Sequence, residues 1–146
     1  MSRFRKFNYD EIKQAIFESS SQSAIYIGCD SKLVKGHTLF GLVCVIHIES
    51  HKGGMVFGKR SYIGRKLAIS ERLMQEVNIA MDCAFIITND IQDRLFEVHL
   101  DINPDPEHKS NSIMKQAIAY VKAQGFNFKI KPRAWAASTA ADYLIS

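Results

Sequence analysis

Three stretches dense in β-branched and aliphatic residues stand close together in the first half of the chain. They cover residues 24–29, 39–48 and 55–63, and the turn signal Lys52-Gly-Gly54 directly precedes the third. Runs of this kind favour β-strands. The short links between them predict an antiparallel meander.

The pattern changes in the second half. From about residue 68 to 84 apolar residues recur at helical spacing, whereas residues 96–102 alternate apolar and polar positions as a strand with one buried face does. Asn8 and Glu11 have the spacing of an N-terminal capping box. The other predicted elements are helices at 9–18, 112–124 and 134–145 and a strand at 126–131.

This order of elements predicts an α/β fold. Three antiparallel strands followed by parallel βα units imply a mixed five-stranded sheet with helices on both faces. We expect residues 1–23 to form a leading helix and loop and residues 24–146 to form the main domain. A chain of 146 residues is long enough for one domain with a sizeable core.

Composition narrows the class of protein. The hydrophobic share of 47% and the charged share of 23% are typical of a soluble globular protein. No apolar run reaches the ~18 to 20 residues of a membrane span, and no signal-type apolar core follows the basic N-terminus, so we expect a cytoplasmic location. The net charge of +4 is compatible with a polyanionic partner.

The cysteines offer little chemistry. Cys29, Cys44 and Cys83 each sit in an apolar stretch, and no C-x-x-C pair is present, which predicts buried free thiols. The alternative, a nucleophilic Cys29, has no histidine near it in the sequence.

Two aspartates close apolar strands. Asp30 follows the run 24–29, and Asp101 follows the alternating strand before a proline-bearing loop. If these strands are parallel neighbours, the two carboxylates emerge side by side at the carboxyl edge of the sheet. Like charges ~4 to 6 Å apart repel unless a cation lies between them, so the pairing indicates a metal site. The alternative for Asp30 is an aspartate that starts a loop and bonds its own backbone.

A glutamate and a third aspartate complete the acidic set. At 100° per residue Glu76 lies at the edge of the apolar stripe of its helix, whereas Glu71 lies nearly opposite and should be a solvated charge. Asp142 lies in an alanine-rich segment whose small side chains permit close approach to the sheet. The alternative interpretation of Asp142 is an exposed aspartate near a chain end.

Basic and polar residues could meet a phosphate at two places. His108 and Lys109, with Ser110 beside them, precede a predicted helix N-terminus, where phosphate contacts are favourable. A second set could track a phosphate backbone, and a solvated face is the alternative for both sets. The second set consists of Lys59, Arg60, Arg65, Lys66 and Arg72.

Element order and carboxylate placement together resemble the ribonuclease H-like superfamily and, more closely, its YkuK-type group of nucleases. The resemblance covers about residues 24–146, although the interval between the last two aspartates is short and a basic insertion found in some members is absent. The motifs that carry it are Tyr26-Ile-Gly-Cys-Asp-Ser31, Arg72-Leu-Met-Gln-Glu76, Val98-His-Leu-Asp-Ile-Asn103 with Lys109-Ser-Asn111, and Trp135-Ala-Ala-Ser-Thr-Ala-Ala-Asp142.

The resemblance implies a nuclease with two Mg²⁺ or Mn²⁺ ions bound by Asp30, Glu76, Asp101 and Asp142. In that scheme Asp30 bridges the ions, Asp142 helps to hold the ion that activates water, and Glu76 and Asp101 hold the ion at the leaving 3′-oxygen. The implied substrate is nucleic acid, whether RNA, RNA/DNA hybrid or DNA, and the oligomeric state stays open.

Two other functions fit the same sequence. One is a catalytically silent module that uses this fold to bind nucleic acid or a protein. The other is a transferase or strand-joining enzyme with the same four carboxylates, which would need donor-binding surface that a chain this short hardly provides.

Overall fold

The computed structural model describes residues 4–48, 53–103 and 111–146, and its elements follow the predicted order. The strands are β1 Arg5–Lys6, β2 Ala24–Val34, β3 His37–His47, β4 Gly54–Ile63, β5 Leu95–His99 and β6 Asn127–Lys129. The helices are α1 Tyr9–Glu18, α2 Ile69–Ile87 and α3 Asn111–Ala123, with a 3₁₀ turn at Thr88–Asp90. A π-helical stretch, Ala136–Ala141, runs into α4, Asp142–Leu144, and the two together are named the C-terminal helix.

The sheet is mixed, and the predicted α/β architecture is confirmed. Its strand order is β1-β4-β3-β2-β5-β6, with β2, β3 and β4 antiparallel and with β5 and β6 parallel to β2. The predicted number of five strands is wrong, because the described residues form a sheet of six strands. The additional strand, Arg5–Lys6, pairs in parallel with β4, and two exposed residues are too few to show alternation in the sequence.

The boundary predicted at Asp30 is also wrong. β2 continues through Asp30 to Val34. Lys35 and Gly36, which have φ angles of 48° and 84°, form the turn that connects β2 to β3. Two successive positive φ angles are those of a type I′ hairpin turn, in which glycine carries no steric cost. A tight hairpin therefore replaces the loop that the sequence suggested after Asp30.

The two faces of the sheet have separate cores. On β2 and β3 the alternating residues Ile25, Ile27, Leu42 and Cys44 belong to the larger core with α1, α2 and α3. Val43 and Val45 point the other way and pack against Ala136, Ala141 and Leu144 of the C-terminal helix. Helices therefore cover both faces, as predicted. The three cysteines are buried free thiols, which confirms that prediction.

Small residues let the C-terminal helix lie directly on the sheet. A Cβ atom at Gly28 of β2 would come within 2.4 Å of the Ala136 carbonyl carbon and 2.5 Å of the Ala137 nitrogen. The backbone of the helix thus rests on a position without a side chain. The sequence predicted a plain helix at 134–145, whereas its first part is π-helical.

Two further features bear on sequence predictions. The Asn8 side chain accepts a hydrogen bond from the Glu11 nitrogen at 3.1 Å, so the predicted cap of α1 is present. Among the helices of the described ranges, none combines the length and apolar character needed to cross a membrane.

Candidate active site

The strands that carry two of the acidic residues are parallel neighbours. β2 pairs with β5 in a register that sets Gly28 beside His99, and Asp30 and Asp101 each lie two residues further along. The convergence expected from the sequence depended on this pairing, which the structure confirms.

Three carboxylates meet at this edge. One carboxylate oxygen from each of Asp30, Glu76 and Asp101 lies within 4.8 Å of the others. Asp30 and Glu76 are each only 8% exposed, and Asp101 is half-buried. Glu76 reaches the group because α2 packs on β2 with the helix face that carries Leu73 and Val77. We name Asp30, Glu76 and Asp101 the acidic triad.

Glu71 lies apart from the acidic triad, as the helical angle predicted. It is exposed, and its Oε2 atom lies 3.5 Å from a guanidinium nitrogen of Arg65. Its Oε1 atom accepts a hydrogen bond from the Ala68 nitrogen at 3.2 Å, which caps the start of α2. Glu71 thus caps the start of α2 and is not part of the acidic triad.

A serine and an arginine hold Glu76 in place. The Ser31 hydroxyl donates to Glu76 Oε2 at 2.5 Å and accepts from Arg72 Nε at 3.1 Å. A second guanidinium nitrogen of Arg72 donates to the Ser31 carbonyl at 2.9 Å. Arg72 and Glu76 are four residues apart on α2 and therefore share a helix face. This network ties the helix carboxylate to β2.

Asp30 combines both of the roles that were considered for it. Its Oδ1 atom accepts a hydrogen bond from the adjacent Ser31 nitrogen at 2.8 Å, which is the local backbone bond of the alternative interpretation. The residue nevertheless lies inside a strand, and the nearby carboxyl groups of Asp101 and Asp142 both contribute to the raised pKa of Asp30. Asp30 therefore lies near Asp142 as well as near the other two members of the acidic triad.

Asp142 approaches the acidic triad from the opposite face of the sheet. It begins α4 and is exposed, and its carboxyl group lies near enough to Asp30 to contribute to the raised pKa of that residue. The start of the C-terminal helix is fixed by the buried His99, whose Nδ1 atom accepts from the Ala136 nitrogen at 3.1 Å. Since Nδ1 accepts, the imidazole proton lies on Nε2, which is 3.0 Å from Glu97 Oε1.

Burial and repulsion from neighbouring carboxylates oppose ionisation of Asp30 and Glu76. Burial, followed by the negative charge of Asp101, raises the pKa of Asp30 to about 8. Burial is also the largest cause that raises the pKa of Glu76, and the hydrogen bond from Ser31 opposes it. The site therefore favours protons or cations over free negative charge.

A small cavity opens over the acidic triad and has cationic residues at its edge. Its volume is about 240 Å³, and its lining includes the triad together with Arg72 and Lys131. The Lys131 ammonium lies 3.0 Å from Asp101 Oδ1, a buried atom that has no well-directed hydrogen bond within the described part of the chain.

These residues fit a divalent cation. Carboxylate oxygens are the ligands that Mg²⁺ and Mn²⁺ prefer, and the acidic triad offers three within the span of one coordination sphere. A cation between them would remove the repulsion from Asp101 that, after burial, raises the pKa of Asp30. The donor chemistry thus agrees with the predicted cofactor and does not distinguish Mg²⁺ from Mn²⁺.

Some residues in or near this site were not predicted from the sequence, and others lie outside the described residues. His108, Lys109 and Ser110 lie outside the described residues, so their proposed phosphate contact stays a prediction. Ser31 and Lys131 were not proposed, although both line or support the site. Ser31 directly follows Asp30, which was a usable signal, whereas nothing local to Lys131 marks it.

Comparison with known proteins gives one family. The sequence profile of a family described as Ribonuclease H-like matches residues 8–145. No protein of curated function matches the chain.

Solved structures resemble the chain more distantly. The N-terminal RNase H domain of Rv2228c from Mycobacterium tuberculosis is 20% identical, with 84% of this chain and 91% of that chain covered and a TM-score of 0.46. RNase H1 from Halobacterium salinarum is 18% identical, with coverages of 85% and 97% and a TM-score of 0.46. Both TM-scores lie below 0.5, so the family assignment rests on the match to the sequence profile and not on these structures.

Proposed function

The chain belongs to the ribonuclease H-like family, and from that premise we propose that it is a metal-dependent nuclease. The proposed reaction is hydrolysis of phosphodiester bonds in RNA, RNA/DNA hybrid or DNA. The single observation that carries the proposal is the acidic triad, three mostly buried carboxylates within 4.8 Å of one another. The narrower resemblance to the YkuK-type group stays a prediction.

We assign the metal ligands to the acidic triad and Asp142. Divalent cations held there would supply Lewis-acid chemistry, which activates the attacking water and stabilises charge on the leaving 3′-oxygen. Asp30 would share such cations with Asp101 and Asp142, whose carboxyl groups lie near enough to contribute to its raised pKa. This agrees with the two-ion scheme that the family resemblance implies.

The chain's own residues prepare the site in two ways. The Ser31 hydroxyl and the Arg72 guanidinium orient Glu76, so its carboxylate needs no reorganisation when a ligand enters. Asp30 and Glu76 must also lose the protons that their raised pKa values favour. Metal binding should therefore release protons and strengthen as pH rises through about 8, the pKa of Asp30.

A cleavage assay with matched variants tests this function. The purified protein with Mn²⁺ is incubated with labelled single-stranded, duplex and hybrid substrates. We expect cleavage of at least one substrate by the wild type and a loss of about 100-fold or more in Asp30→Asn and Asp101→Asn. The control is Asp93→Asn, an exposed aspartate outside the site, which should cleave at the wild-type rate.

The same assay separates the nuclease from a silent binding module. A module would bind the substrates without cutting them, and Mn²⁺ would not stabilise it. Equal cleavage by the wild type, Asp30→Asn and Asp101→Asn would refute the assignment of the site. Binding without cleavage in every protein would leave a nucleic-acid-binding role only.

A further inference from the structure

Lys131 is held beside the acidic triad by the backbone. The segment after β6 stays hydrogen-bonded to the segment after β5: Leu100 nitrogen donates to the Lys129 carbonyl at 2.9 Å, and Lys131 nitrogen donates to the Ile102 carbonyl at 3.1 Å. These bonds bracket Asp101 on one strand extension and set Lys131 next to it on the other. The Lys131 side chain thus starts from a fixed point at the edge of the cavity.

Its ammonium group occupies the place of a cation. Nζ lies 3.0 Å from Asp101 Oδ1, a buried oxygen with no well-directed hydrogen bond among the described residues. An ionised carboxylate in such a position needs a positive partner. Lys131 supplies one while the acidic triad binds no metal.

We propose that Lys131 is an exchangeable counter-cation: it competes with the divalent ion for Asp101 and, once displaced, contacts a phosphate of the substrate. This inference rests on the proposed nuclease function and extends it to a substrate-positioning residue. It assigns Lys131 two successive partners, first the carboxylate and then the phosphate.

Displacement follows from charge and from mobility. An ammonium and a divalent ion cannot both lie against Asp101 without strong repulsion at ~3 to 4 Å. The Lys131 side chain is 42% exposed and flexible, so it can swing away at little cost. Arg72 cannot exchange in the same way, because two hydrogen bonds fix its guanidinium to Ser31.

The displaced ammonium remains at the cavity edge. Lys131 lines the same cavity as the acidic triad, so its four-carbon stem keeps the charge near any phosphate that binds there. Lysine suits this role because its ammonium is a compact point charge with rotatable donors, which does not require one fixed ligand geometry. We therefore expect Lys131 to lower KM for the substrate.

A metal titration provides the first test, with thermal stabilisation by Mn²⁺ as a readout that does not depend on activity. Lys131→Met keeps the stem and removes the charge. The matched control is Lys129→Met, because the Lys129 side chain is 41% exposed, close to the 42% of Lys131, but pairs with Glu97 at 3.8 Å outside the cavity. We expect Lys131→Met to bind Mn²⁺ about tenfold more tightly than the wild type and Lys129→Met to match the wild type.

Kinetics provide the second test. At saturating Mn²⁺ we expect Lys131→Met to raise KM about tenfold, with a weaker salt dependence of KM. Lys131→Arg should keep KM within about threefold of the wild type, because it retains the positive charge. If Lys131→Met does not fold, Lys131→Gln provides the same comparison, and the thermal transition in EDTA shows which variant is folded.

The outcomes distinguish this inference from the proposed function. A wild type that Mn²⁺ does not stabilise would remove the metal site and the nuclease proposal with it. A wild type that binds Mn²⁺, together with equal Mn²⁺ affinity in Lys131→Met and Lys129→Met, would overturn the exchange and leave the nuclease intact. Tighter Mn²⁺ binding with unchanged KM would overturn the phosphate contact.

Discussion

Replacing Asp30 by Asn should stabilise the metal-free protein at neutral pH. Asp30 is 8% exposed, and the carboxyl groups of Asp101 and Asp142 lie near enough to raise its pKa in addition to the effect of burial. Asparagine has the shape of the protonated carboxyl group, its oxygen can still accept from the Ser31 nitrogen, and its amide can donate to a neighbouring carboxylate. The variant therefore keeps the packing of the site and removes the charge.

The size of the effect follows from the pKa of Asp30, which rises from 3.8 in the unfolded chain to about 8 in the fold. Between these values the native state holds more protons than the unfolded state, so the free energy of unfolding falls as pH rises. The slope is at most about 1.4 kcal/mol per pH unit, which amounts to about 3 kcal/mol between pH 5 and pH 7. For a chain of this length that corresponds to roughly 8 °C in Tm.

Urea unfolding in EDTA at pH 5, 6, 7 and 8 measures this difference. Wild type and Asp30→Asn should be similar near pH 4 and diverge as pH rises, with the variant more stable. Burial lowers the pKa of His99, so this residue makes the free energy of unfolding rise with pH, which is the opposite of the effect of Asp30. The contribution of His99 is present in both proteins and cancels when the two stability curves are subtracted. Saturating Mn²⁺ should stabilise the wild type and not the variant. If the free energies of unfolding of the two proteins changed in parallel with pH, the raised pKa of Asp30 would be refuted.

Two further substitutions test the packing and the hydrogen bonding of the site by urea unfolding at constant pH. Gly28→Ala should destabilise the fold by about 1 to 3 kcal/mol or more, because its new Cβ atom would lie 2.4 Å from the Ala136 carbonyl carbon. Gly64→Ala should change stability by less than about 1 kcal/mol, because the atom nearest to its new Cβ would lie 3.9 Å away. Equal losses of stability in the two variants would contradict the close approach of the C-terminal helix to Gly28. Ser31→Ala should cost about 1 to 3 kcal/mol through the lost bond to Glu76, whereas exposed Ser61→Ala should be neutral; no loss in Ser31→Ala would show that this bond contributes nothing.

Local patterns predicted the elements well and their ends less well. The run of apolar residues before Asp30 identified β2, but the strand passes through Asp30 because it pairs with β3 as far as Val34. Similarly, β1 exists only because β4 offers an edge to Arg5 and Lys6. In both cases a partner strand, distant from the local pattern, decides where the hydrogen-bonded region ends.

The acidic residues were predictable to different degrees. Periodicity alone distinguished Glu76 from Glu71, because the orientation of a side chain on a helix follows from its angle to the apolar stripe. Asp142 gave a weaker signal: it is exposed, as the alternative interpretation predicted, and yet it lies near enough to Asp30 to contribute to the raised pKa of that residue. Lys131 gave none, since its relation to Asp101 depends on pairing between segments far apart in the chain.

The sequence by itself determined the order of strands and helices apart from β1, the α/β class and the inward side of α2, because these depend on periodicities within one element. The tertiary structure alone decided that β2 and β5 are parallel neighbours, that the C-terminal helix rests on Gly28, and that a lysine lies against the acidic triad. These depend on which elements pack together. Electrostatics at the site is therefore a property of the fold: carboxylates that would ionise freely in the unfolded chain become repelled and buried when packing brings them together.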